Sequence, residues 1–132
     1  MTPRVPISWG ELIDKITILE IKVERLRAPD ALANTRRELS LLLEILAAAK
    51  DTPAGLGPLQ SALGAVNRRL WDIEDAIRDK EDSQSFDADF IALARAVYRT
   101  NDERSHIKRA INALLPSDIV EEKQYRQYRH DT

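Results

Sequence analysis

The chain has 132 residues, with 20 Lys plus Arg against 22 Asp plus Glu, 4 glycines and no cysteine. That length suits one domain with one core; the net charge of -2 leaves no basic excess for a nucleic-acid backbone, and the missing thiols exclude disulfides, thiol catalysis and thiolate metal sites. With 43% apolar and 32% charged residues the composition is that of a helical protein rather than a disordered chain, and the lack of a signal-like or bilayer-length apolar run makes cytoplasmic, without a membrane partner, the expected location.

"SWGELIDKITILEIKVERLR" opens with Ser8 three residues before Glu11, the spacing of a reciprocal helix-start cap. The first helix is expected over about 8–27, with Leu12, Ile16, Leu19, Val23 and Leu26 on one face. Ile18 and Ile21 project from roughly the other side, between Asp14 and Arg25, and form a second apolar strip that suits a contact to another subunit or scattered surface isoleucine. "APD" breaks this helix, and Asp30 is placed to cap a second one over about 31–50, whose arc is Leu32, Leu39, Leu42, Leu43 and Leu46.

"DTPAGLGP" is a loop, and Pro58 suits the first turn of a third helix over about 58–81. Leu59, Leu63, Val66, Leu70, Ile73 and Ile77 follow at spacings of four and three, a run expected to pack along most of its length. Ser85 or Asp87 caps a fourth helix over about 86–115, with Phe86, Phe90, Leu93, Val97, Ile111 and Leu115 as its stripe. Four such segments with short links predict an all-α, antiparallel, up-down-up-down bundle in a single domain, 1–132. The polar tail 116–132 adds a short helix or trails off, and its Tyr125 and Tyr128 join Ile18 and Ile21 as candidate interface residues.

Inside the fourth helix, "YRTNDERSHIKR" puts Asn101, Arg104 and Lys108 where the apolar stripe should continue. An unpaired buried cation costs several kcal/mol even after relaxation, so each charge needs an answer. Lys108 can lay its stem across apolar neighbours and reach water, whereas the planar fork of Arg104 seeks a carboxylate or phosphate. Glu20 and Glu24 of the first helix, and Glu74 and Glu81 of the third, are the carboxylates at the margins of the core stripes. An internal network with these acids, including Asn67, is the first reading. A pocket whose missing anion is a ligand is the second, with Asn101, Arg104, Lys108, Asn67 and Glu74 as its residues. An acidic residue from a partner protein is the third.

Other chemistry is thin. Asp72, Asp75 and Asp79 share a helix face, but one opposite the Leu70, Ile73, Ile77 stripe, so a solvated face paired with nearby bases is expected rather than a metal site. Glu11 with Asp14 supplies a single ExxD echo of the helical nucleotide pyrophosphatases, which need acids on two adjoining faces. His106 and His130 suggest no catalytic triad, and Trp9 and Trp71 read as packing aromatics. No catalytic residue, cofactor or metal ligand is assigned.

"LIDKITILEIKVERL" resembles the opening helix of the all-helical chorismate mutases, dimeric enzymes that hold a dicarboxylate with cations. Ile13 stands where that family's helix carries its essential arginine, and the helix stops early at Pro29. "ELIDKITILEIK", "LWDIEDAIR", "YRTNDERSHIKRAIN" and "EEKQY" together resemble a family of short uncharacterised bacterial proteins of about this length. The resemblance implies an association with helical-repeat and glycosyltransferase proteins of surface-polysaccharide pathways, and it carries over no catalytic residue. The expectation is a non-catalytic interaction module that self-associates and docks a protein partner. The alternative is an enzyme or sensor that binds a phosphorylated sugar, nucleotide or dicarboxylate.

Overall fold

Ser8 turns the chain into its first helix: its hydroxyl accepts from the Glu11 amide at 3.1 Å, which satisfies one of the donors a helix start leaves over. A computed structural model describes residues 1–50, 52–115 and 122–123. Helix α1 spans Trp9–Arg25, α2 Pro29–Ala48, α3 Leu56–Asp82 and α4 Ala88–Leu114. The reciprocal half of the expected cap is not made, because the Glu11 carboxylate turns to Lys108 on α4.

Asp30 does not cap α2. Ala28 holds the cap position and Pro29 the first turn, so Asp30 sits one residue inside, where its charge faces the positive end of the helix dipole. Between α3 and α4 the chain reverses through Gln84, at φ 56° the one left-handed non-glycine residue among those described. The Ser85 amide donates to the Lys80 carbonyl at 2.9 Å across that turn. Asp87 caps α4 by accepting from the Phe90 amide at 3.0 Å, and this bond, followed by the bond from Lys80, holds its carboxyl below the usual aspartate range.

Named pairs set the helix directions. Gly10 to Asn112, Glu11 to Lys108 and Asp14 to Arg104 run in opposite senses along α1 and α4. Asp14 to Asn67 and Arg25 to Asp72 run in the same sense along α1 and α3, as an up-down-up-down antiparallel four-helix bundle requires. At one end Leu12, Ile13 and Ile16 of α1, Leu56 and Leu63 of α3, and Ile111 with Leu115 form the core. Leu39, Leu42 and Leu46 of α2 lie partly buried against it.

The helices are unequal, and that decides what is covered. Helix α1 packs against all three others, whereas close backbone approaches of α2 are confined to α1. Two expectations change as a result. Ile21 is not on an outward strip: it is 1% exposed, because the side of α1 away from its first stripe is interior too. The outward apolar strip belongs to α2, where Leu41 and Ile45 are 57% and 54% exposed.

The third helix does not pack along most of its length either. With 17 residues against 27 in each of α3 and α4, α1 is about 15 Å shorter. Leu63, Val66 and Leu70 are buried, but Ile73 and Ile77 are only half-buried, as are Phe90, Leu93 and Val97 facing the same stretch of α4. The hairpin tip beyond Arg25 thus keeps an apolar seam with two helices instead of four around it. Tyr125 and Tyr128 lie outside the described residues, as does most of the tail; Glu122 receives a 3.0 Å bond from Arg109 of α4.

Candidate functional site

Asp14 is the centre of the polar gap. It is 1% exposed on α1, and both of its oxygens face α4. Arg104 donates from Nε to Oδ1 at 3.0 Å and from one terminal nitrogen to Oδ2, the two-pronged geometry that suits a guanidinium. From α3, Asn67 Nδ2 donates to the same Oδ1 and to Thr17 Oγ1, each at 2.9 Å. The Thr17 hydroxyl donates back to the Asp14 carbonyl at 2.8 Å. Lys108 Nζ lies 2.8 Å from Glu11 Oε2 and 3.8 Å from Asp14 Oδ2.

Two anions from α1 therefore answer the two cations of α4, and an amide from α3 ties the third helix to them. Asn101 stands at the margin, 3.5 Å from the remaining nitrogen of Arg104. The carboxylates named from the sequence are not the ones used. Glu24 binds Arg68 at the surface, which holds it below the usual glutamate range, and Glu20, Glu74 and Glu81 are exposed. Asp14 lies off the Leu12, Ile16, Leu19 stripe, so a single inward face would leave it outside; α1 is covered on more than that one side. A usable signal was present: acids at 11 and 14 match bases at 108 and 104 when two helices run antiparallel.

One backbone contact locks this register. Gly10 donates its amide to Asn112 Oδ1 at 2.7 Å, and a methyl group at Gly10 would lie 2.6 Å from the Lys108 carbonyl oxygen. Helices α1 and α4 come this close only because residue 10 has no side chain.

Beside the network a cleft of about 310 Å³ opens between α1, α3 and α4. Ile18, Ile21 and Leu70 form its apolar floor, Trp71 one wall, and Glu74, Asp75, Arg78 and Arg104 its charges. The structure thus brings Asn67, Glu74 and Arg104 to one cavity but does not bring Lys108 or Asn101 there. Lys108 is on the other side, itself buried and paired with the half-buried Glu11. Trp71 is a cleft residue, with the Arg25 guanidinium 5.8 Å from its ring centre. Ile13, which stands at the arginine position of the chorismate mutase resemblance, is fully buried in the apolar core.

Among the described residues no helix is long and apolar enough to cross a membrane, and no group of three or more His, Asp or Glu is placed to hold a metal ion. Asp72 is paired with Arg25. Comparison with curated proteins and with solved structures gave no match. A family described as "Family of unknown function (DUF6165)" matches residues 3–129, nearly the whole chain, and the protein belongs to that family.

Proposed function

We propose that the protein is a non-catalytic helical interaction module of the bacterial cytoplasm, which self-associates and docks a partner protein. One observation carries this reading: the apolar seam of the α3–α4 tip continues past the end of α1, and Ile73, Ile77, Phe90, Leu93 and Val97 are left half-buried. Phe86, 54% exposed and in edge contact with the Phe90 ring at 5.3 Å, extends the same uncovered region. A monomer gains nothing from a heptad stripe it does not bury, while an assembly that covers it gains about 25 cal/mol per Å² of apolar surface. The network supports the reading from the other side, since Arg104 already has a carboxylate inside the chain and needs no ligand to balance its charge.

Sedimentation equilibrium of the full chain is the test. The expected species is a dimer of the 15.0 kDa chain, and a monomer at every concentration would remove the self-association. The family resemblance read from the motifs makes a helical-repeat or glycosyltransferase protein the class of docking partner.

A second reading keeps the cleft as a small-anion site, because Asn67, Glu74 and Arg104 line the same 310 Å³ cavity. It ranks below the first because Asp14 takes both arms of the arginine and Lys108 is directed to Glu11. A thermal-shift screen of phosphorylated sugars, nucleotides and dicarboxylates on wild type and Arg104→Ala tests it, with no shift of wild type counting against it.

A further inference from the structure

We infer that the cleft is the contact surface for a second copy of this chain, with α3 lying antiparallel to α3 of the other copy across a two-fold axis. This rests on the self-association proposed above and specifies its geometry.

The first ground is shape. On α3 the cleft is lined by Asn67, Leu70, Trp71, Glu74, Asp75 and Arg78, positions three and four apart that share one side of the helix. Asn67 and Leu70, at the start of this strip, lie buried against α1, while Trp71, Glu74, Asp75 and Arg78 continue past the Arg25–Asp72 pair, where α1 ends and no longer covers the cleft. Ile18, Ile21 and Leu70 give the groove an apolar floor. A helix is the element that fits it.

Charge selects which helix. Glu74 and Arg78 sit one turn apart, the spacing at which an acid and a base ordinarily pair along a helix. They do not pair with each other or with another described residue, and both line the cleft. Read antiparallel against itself about an axis through position 76, the strip brings Glu74 of each copy opposite Arg78 of the other. One symmetry operation therefore answers both charges twice, as an isologous contact does. The same axis sets Trp71, with the Arg25 cation over its ring, level with Glu81 of the second copy. Asp75, the other acid on this side of α3, falls level with position 77 of the second copy, next to its Arg78; a single-sign groove would repel its own copy, whereas this one sets its acids beside a base.

Charge reversal tests this geometry directly. In sedimentation equilibrium at low salt, wild type is expected as a dimer, and Glu74→Arg and Arg78→Glu as monomers with unchanged helix content by circular dichroism. An equimolar mixture of the two variants should recover the dimer, because both pairs become attractive in the mixed species. Dimeric wild type with both single variants also dimeric would overturn the α3 contact while leaving self-association by another surface intact. Monomeric wild type would overturn both. Since the chain has no cysteine, a measurement independent of the charges is available. Oxidised mixtures of Glu74→Cys and Arg78→Cys chains should form mixed crosslinks in preference to like-with-like ones, and random crosslinking would overturn the proposed register.

Discussion

Arg104 holds both oxygens of Asp14, a carboxylate 90 residues earlier in the chain that is 1% exposed. The guanidinium side chain is itself 29% exposed, so water softens the charge at one end of the pair and not at the other.

Arg104→Ala strands that carboxylate. Breaking a buried pair costs about 3–5 kcal/mol, and the partial exposure of Arg104 places the expected loss near the lower figure, a fall in Tm on the order of 10 °C. Asp14→Leu combined with Arg104→Met should recover most of the loss, because neither charge is then left alone. Urea melts of the three proteins check this, and a double variant as unstable as the single one would contradict it.

Gly10→Ala tests the close approach of α1 and α4. The added methyl meets a backbone carbonyl that cannot rotate away, so the helices must part and loosen the Gly10–Asn112 bond. The expected cost is about 1–3 kcal/mol, although alanine is the better helix former. A denaturant midpoint equal to or above wild type would show that the contact is slack.

Asp87 should give the α3–α4 turn a pH dependence. Its folded pKa lies below the ordinary aspartate value, so its stabilisation is complete above that ordinary value and is lost as pH falls through the lowered one. Asp87→Asn keeps an oxygen acceptor for the Phe90 amide but cannot titrate. The variant should be less stable at neutral pH and show a flatter fall in Tm on acidification. Parallel acid profiles for the two proteins would rule out this role.

Hydrogen exchange should divide the molecule by helix length. Amides of α3 and α4 around the polar network, near Asn67, Arg104 and Lys108, are expected to exchange only through global opening. Those of the tip, near Ile77 and Leu93, should exchange through smaller local openings when the chain is dilute. Raising the concentration should slow the tip alone. Uniform protection in dilute protein would contradict the two-helix description of the tip.

The helices themselves were legible in the spacing of Leu12, Ile16 and Leu19, or of Leu63, Val66 and Leu70, because burying one face imposes a period near 3.6 whatever the neighbour is. What a single stripe does not reveal is how many neighbours a helix has. For α1 there are three, so Asp14 and Ile21, read as outward, are interior. For the distal part of α3 there is one, so Ile73 and Ile77, read as core, are half-covered. The candidate site was legible to the same degree. Arg104 and Asn67 declared themselves by standing out of pattern, while their partner had to be found through the pairing of two helices that lie at opposite ends of the chain.

That separation bears on how the protein is made. The ribosome releases residue 14 long before residue 104, at about 5–20 residues per second, so most of synthesis passes with this aspartate lacking its counter-ion. The first two helices must therefore wait, hydrated and loosely associated, until the last one arrives. Folding of this chain is consequently tied to completion of the bundle, and a product truncated before Arg104 should remain a substrate for quality-control proteases.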